Sequence, residues 1–170
     1  MLSATPTTAS LQHGPAGAPA NASFAAGDLL DAPADAICNP VNIVGVMGRG
    51  LALQFRTRWP ASYRAYRAAL RTGQLGRGRI HAHRLPDGRH VLHCPTKDHW
   101  RDPSPPQLVQ ATIDAIGPCC ARRGIGSVAI PPLGCGLVGL DWNDVRAALL
   151  AAAARHPQLH WALYGQAPGR

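Results

Sequence analysis

An α/β domain, three layers thick with a largely parallel or mixed sheet, is the fold class this sequence predicts. Three observations carry that expectation. Short apolar runs alternate with longer segments of helical spacing. Two of the strand-to-helix junctions are rich in glycine. The chain of 170 residues suits one domain with its own core. Alternating strands and helices bury a sheet on both faces, and ligands of such folds sit beyond the carboxyl ends of the strands.

The elements follow in order. Residues 1–22, "MLSATPTTASLQHGPAGAPANA", hold no Lys, Arg, Asp or Glu and are rich in small residues, Pro and Gly; they read as a disordered tail. Strands are expected near Phe24 and over residues 36–39, 79–85, 90–95, 127–131 and 158–164. "GLALQFRTRWP" follows a glycine cluster and ends at Pro60, and "ASYRAYRAALRTG" ends at a glycine, a common helix stop. "PPQLVQATIDAIGPCCARRG" puts Leu108, Val109, Thr112, Ile113 and Ile116 on one helical face, with a kink or split expected at Gly117-Pro118. "DWNDVRAALLAAAARHP" opens with Asp141 as N-cap and Asp144 three residues on. Phe55, Trp59, Tyr63 and Tyr66 read as core.

Charge narrows the partners. The formal net charge is +8, with all nine acids Asp and sixteen of the seventeen basic residues Arg. Twelve of those seventeen lie between Arg49 and Arg101, a balance that suits an anionic partner such as a nucleic acid or nucleotide. Five cysteines without a C-x-x-C, two of them adjacent at Cys119 and Cys120, exclude a disulfide framework and a zinc site, and fit the cytoplasm. His81 and His83 share a strand face but lack a third ligand, so no metal is expected. No apolar run reaches membrane-spanning length, and the N-terminus lacks a signal-peptide pattern.

Three stretches carry chemistry. In "NPVNIVGVMGRGLALQF", Gly45, Gly48 and Gly50 lie between a strand and a helix, where backbone N–H groups and the helix dipole favour a phosphate. The spacing is neither a dinucleotide fingerprint nor a Walker motif. Asn39 and Asn42 just upstream fit two readings, ribose contacts or turn residues bonding their own backbone. "VAIPPLGCGLVGLDW" is a second such junction, and two in one domain suggest a diphosphate held between them. In "HVLHCPTKDHW" stands Lys97, the single lysine of the chain. A lysine can lose its proton near neutral pH where an arginine does not, and a neutral amine is a nucleophile or base. Asp98 is open to a pairing that would keep that amine charged. His99 fits acid/base, substrate-contact or plain loop roles, and Trp100 either packing or base stacking. Tyr164, at the end of the last strand, is placed to flank an adenine.

Together, "GDLLDAPADAICNPVNIVGVMGRGLALQF", "PTKDHW" and "IPPLGCGLVGLDW" resemble a macrodomain. More narrowly they resemble the branch containing the DNA ADP-ribosyl glycohydrolase antitoxin DarG and the terminal ADP-ribose protein glycohydrolase. The likeness runs from about Ser23 to Tyr164. It implies a three-layer α/β/α sandwich with a mixed, mostly parallel central sheet over residues 23–166, and a short tail at 167–170. It implies ADP-ribose in the strand-end crevice and no cofactor. Asp28 would meet the adenine amine, with Leu29 lining that end. Asn39 and Asn42, with Gly45, Val46, Met47, Gly48 and Gly50, would hold the distal ribose and phosphate. Pro132, Leu133, Gly134, Cys135, Gly136, Leu137 and Val138 would wrap the diphosphate. Lys97, next to Thr96, matches the family's catalytic lysine at the anomeric carbon of the distal ribose. The protein-directed relative has an aspartate where Val138 stands; DarG-like sequences lack it, and "PTKDHWR" is also closer to DarG. The implied substrate is ADP-ribosylated DNA, and the implied partner a cognate DNA ADP-ribosyltransferase toxin. The alternatives are hydrolysis of ADP-ribosylated acidic protein side chains or ADP-ribose 1″-phosphate, and non-catalytic ADP-ribose reading. DarG antitoxins often carry a further C-terminal domain, and this chain ends soon after the macrodomain.

Overall fold

A computed structural model describes residues 11–13, 17–136 and 139–165. Seven strands, β1 (Leu11–His13), β2 (Ala22–Ala25), β3 (Ala36–Asn42), β4 (His81–Arg84), β5 (His90–Lys97), β6 (Ser127–Ile130) and β7 (His160–Tyr164), form one sheet in the order β1-β2-β7-β6-β3-β5-β4. The ladders from β2 through β7, β6 and β3 to β5 are parallel; the two edge strands β1 and β4 are antiparallel to their neighbours. The sheet is mixed and mostly parallel, as the alternation of elements predicts. The carboxyl ends of five parallel strands therefore open on one side.

The strand period of two divides the core. Cys38, Leu92, Cys94, Val128, Ile130, Trp161 and Leu163 pack with residues of α3 (Pro106–Ala121) and α4 (Trp142–Arg155). Ile37, Val91, Ala129, Ala162 and Tyr164 pack on the other face with Phe55 of α1 (Gly50–Arg58). Val41 and Met47 pack with Tyr66 and Ala69 of α2 (Pro60–Arg71). Trp59 ends α1 and leads into α2, with Pro60 at the first position, where a missing N–H costs no helix bond. Asp141 caps α4 by accepting from the Asn143 N–H at 2.7 Å.

Two expectations are corrected. The helix over Gly117-Pro118 is not split: α3 runs continuously through Pro118 to Ala121. Gly117 serves packing instead, since a Cβ there would strike the His156 ring. The tail also ends earlier than residue 22. Leu11–His13 pairs with β2, and the Asn21 amide donates to the carbonyls of Ala153, His156 and Leu159 at 2.8–3.0 Å. Carbonyls at the end of a helix lack intrahelical donors, and Asn21 supplies one to Ala153 and His156 at the end of α4 and to Leu159 ahead of β7. Residues 1–10 and the 167–170 segment lie outside the described residues. Among the described residues no helix is long and apolar enough to cross a membrane.

Candidate functional site

Along the open side of the sheet the features fall in spatial order. At the ends of β2 and β7 is a cavity of about 510 Å³, lined by Ala25, Ala26, Gly27, Leu29, Leu51, Pro131, Tyr164 and Gly165. Its walls are mostly apolar, as a flat heterocycle requires. Exposed Asp28 stands beside it, its carboxylate accepting from the Leu30 N–H at 2.9 Å to cap a short 3-10 turn, Leu29–Asp31. Burial, and then the Asp28 charge, raise the pKa of the Tyr164 phenol, so this ring stays neutral.

Next, after β6, comes the second glycine loop. It is tied by Cys135 N–H to the Pro132 carbonyl, Gly139 N–H to the Gly136 carbonyl at 2.7 Å, and Leu140 N–H to the Gly134 carbonyl at 2.8 Å. Gly134 adopts φ +72°, and a Cβ there would lie 2.8 Å from Val109 Cγ2. Leu133 is fully buried, and half-buried Cys135 donates toward the Leu133 carbonyl, with its thiol pKa raised by burial and then by Asp141. Leu137 and Val138 lie outside the described residues.

The first glycine loop follows β3. Asn42 organises it: its Oδ1 accepts from the N–H groups of Val44 and Val46 at 3.2 Å, and its amide donates to the Val46 carbonyl at 2.7 Å. The turn-residue reading of Asn42 therefore holds. Tyr66, fully buried on α2, donates to the Asn42 backbone and side-chain oxygens at 2.7 and 3.0 Å, and Tyr63 donates to the Gly45 carbonyl at 3.3 Å. Asn39 behaves differently. It is fully buried, its amide nitrogen lies 3.8 Å from the Met47 sulfur, and its Oδ1 has no partner among the described residues. An unmatched buried acceptor is the kind of atom a ligand hydroxyl satisfies. Met47 is itself packed in the core, so its side chain and that of Leu133 position their loops from inside. Gly45 has φ +90°, Val46 is exposed, and Gly50 opens α1, whose N-cap Arg49 makes no side-chain cap bond. The amides at this helix start are thus available to an anion, whereas Asp141 occupies those of α4.

Last, Lys97 ends β5, half-buried and paired in the ladder with Asn42, its carbonyl accepting from the Ile43 N–H at 3.2 Å. A ladder irregularity between Val41 and Asn42 skips buried Thr96. Asp98 does not pair with Lys97. It forms a two-pronged ion pair with Arg77, through Nε at 2.8 Å and through the second guanidinium nitrogen. No acid partner of Lys97 is present among the described residues. Beyond it, His99 stacks on Trp100 at 5.3 Å, the Arg101 guanidinium lies over the Trp100 ring at 4.4 Å, and the His99 Nδ1 accepts from the Arg101 N–H. Among the described residues no three His, Cys or Asp side chains are grouped to hold a metal.

The cavity at β7 and Lys97 at β5 are three ladder steps apart, about 14 Å at ~4.8 Å per strand. A ligand that touches both is therefore extended, with its middle between the two glycine loops. The residues of α2 that hold the first loop, Tyr63 and Tyr66, are predicted by the sequence only as core. Their spacing signals a buried face, but nothing in it reveals that the hydroxyls reach the loop.

Comparison with known proteins gives a consistent likeness. The Macro domain family matches residues 38–149. A DNA ADP-ribosyl glycohydrolase of Mycobacterium tuberculosis is 38% identical over 149 residues, 86% of this chain and 42% of that protein. The chain spans less than half the length of the curated relatives of this kind that it matches. The macrodomain of Thermus aquaticus DarG superposes with a TM-score of 0.80 at 36% identity, over 85% of this chain and 98% of that one. Thermosipho africanus DarTG in complex with ADP-ribose superposes at 0.81 and 26% identity, over 89% of this chain and 43% of that one.

Proposed function

The chain belongs to the macrodomain family, and from that premise we propose that it is a DarG-like hydrolase that removes ADP-ribose from thymine in DNA. The observation that carries this reading is the order of features along the strand ends: apolar cavity, two glycine loops, then an unpaired lysine. That order matches the parts of ADP-ribose, an adenine, a diphosphate and a distal ribose with a reactive carbon. The Mycobacterium tuberculosis relative, a DNA ADP-ribosyl glycohydrolase, and the ADP-ribose complex of the Thermosipho africanus protein support it.

In this reading Asp28 and Tyr164 flank the adenine, and the amides of residues 45–50 and of the loop from Pro132 to Gly136 hold the diphosphate. The free Oδ1 of Asn39 accepts from a distal ribose hydroxyl. Anchoring of the diphosphate supplies proximity, bringing the anomeric carbon to Lys97. The neutral amine of Lys97 bonds to the anomeric carbon as the bond to the thymine nitrogen breaks. The base leaves with that electron pair and takes up a proton, and water then releases ADP-ribose and regenerates the lysine. Asp98, the nearest acid in sequence, is engaged by Arg77 and so does not pair with the Lys97 amine. The second loop, "GCGLVGL", contains no acid to share the work. A DNA substrate is further supported by the basic middle of the chain. The four buried, unpaired thiols, Cys38, Cys94, Cys119 and Cys120, fit action in the cytoplasm, with a DNA ADP-ribosyltransferase as cognate partner.

The test is release of ADP-ribose from a modified single-stranded oligonucleotide, beside modified protein as the competing substrate. Lys97→Ala and Lys97→Arg are both expected to lose at least a hundredfold in rate, in line with loss of a positioned proton-transfer or nucleophilic group, while binding free ADP-ribose in calorimetry. An alanine variant that works at the wild-type rate would sink the proposal. Faster turnover of modified protein than of DNA would reassign the substrate, and binding without release from either would leave a reader.

A further inference from the structure

A second cleft lies on the other side of the first glycine loop, against α2. Its volume is about 250 Å³, and it is lined by Ile43, Val44, Gly45, Arg67, Leu70 and Arg71. Tyr63, Tyr66, Arg67, Leu70 and Arg71 follow helical spacing and share the face of α2 turned to the loop. The two tyrosines fix the loop, and the two arginines stand one turn apart. Arg67 reaches close to Gly45: a Cβ built there would lie 3.9 Å from the Arg67 Nε.

The charge in this cleft is unbalanced. Residues 36–86 contain nine arginines and no acid. Arg58, Arg77, Arg89 and Arg155 each have an aspartate partner; Arg67 and Arg71 have none among the described residues. Two guanidiniums held by one helix without a counter-ion favour a ligand with two anionic oxygens. Val44, 49% exposed, adds an apolar wall beside them. The combination suits a sugar–phosphate unit, with the anion on the arginines and the sugar on Val44.

The cleft is next to the reacting end. Ile43, in its floor, donates its N–H to the carbonyl of Lys97, and Asn42 is the ladder partner of Lys97. We propose that Arg67 and Arg71 form a phosphodiester subsite, holding a backbone phosphate of the DNA strand that flanks the modified nucleotide. The proposal rests on the reading of DNA as substrate. It assigns recognition of the polymer to α2, apart from the loops that take ADP-ribose.

The experiment compares wild type, Arg67→Gln/Arg71→Gln and Arg67→Lys/Arg71→Lys. Substrates are an ADP-ribosylated single-stranded oligonucleotide and ADP-ribosylated thymidine, which has no phosphodiester. The glutamine pair is expected to raise KM for the oligonucleotide roughly tenfold and to lower the salt slope of log KM by about 0.7, the value for one phosphate on a single strand. The lysine pair keeps both charges, so its salt slope is expected to match that of wild type. Turnover of modified thymidine and the Kd for ADP-ribose are expected to stay unchanged in both. Unaltered oligonucleotide KM and salt slope in the glutamine pair would overturn the subsite. Equal loss on modified thymidine or on ADP-ribose would do the same, because the arginines would then belong to the ADP-ribose site. Fluorescence anisotropy of an unmodified oligonucleotide, with ADP-ribose saturating, separates this proposal from the activity. Weaker binding by the glutamine pair supports the subsite even if wild type releases nothing, and equal binding in that case refutes it.

Discussion

Acidification from pH 7 to pH 5 should destabilise this protein through one buried histidine. His93 on β5 is fully buried against α2, its Nε2 hydrogen-bonded to the Ser62 hydroxyl at 3.1 Å and its ring stacked on His81 at 5.8 Å. Burial, and then the neighbouring His81 and His83, lower its pKa from 6.5 to about 3. In the unfolded chain the same group titrates near the ordinary histidine value, about 6.5. Above that pH neither state binds the proton, and the group has no pH effect. Between about 6.5 and 3 only the unfolded state binds it, so stability falls as pH falls. At pH 5 the unfolded state has gained about 1.5 units, on the order of 2 kcal/mol at 1.36 kcal/mol per unit. His81 and His83 are shifted the same way, by burial first, and add to the loss. Urea unfolding at pH 7 and pH 5, for wild type and His93→Gln, isolates the contribution. The wild type is expected to lose about 2 kcal/mol more than the variant over this interval. Parallel losses in the two proteins would show that His93 accepts a proton in the folded state and would refute the reasoning.

Two further outcomes follow from the loops. Tyr66→Phe removes the donor to both oxygens of Asn42; it is expected to cost about 2 kcal/mol in urea unfolding and to weaken ADP-ribose binding in calorimetry, and an unchanged affinity would separate α2 from the loop. Gly134→Ala places a methyl against Val109 at a φ of +72°; ADP-ribose affinity measured by calorimetry is expected to drop at least tenfold, since the strain is roughly 1–2 kcal/mol before any clash.

The sheet was legible in the sequence because its inner strands carry continuous apolar runs, such as residues 128–130, set between Gly and Pro. The edge strand β1 was not, because "LQH" sits in a tail-like composition and gains its place only by pairing with β2. Pro118 argued for a break by local rules, yet packing of Gly117 under His156 keeps one helix. In the site, Lys97 stood out by being the single lysine, and the two glycine loops by their position after strands. The partner of Asp98 did not, since Arg77 is 21 residues away and meets it only in three dimensions. The turn-forming duty of Asn42 was equally hidden: ribose contact and turn former require the same side chain, and only the bonds to Val44 and Val46 show the second.

That bonding of Asn42 has a consequence for how binding is timed. The turn after β3 is closed by the chain's own donors and acceptors, with Tyr66 locking it from behind. Its conformational entropy has thus been surrendered during folding, and an arriving ligand meets a finished mould rather than a loop awaiting organisation. Encounter with the loop then demands no slow rearrangement, and the lifetime of the complex is set by the contacts the ligand must break on leaving.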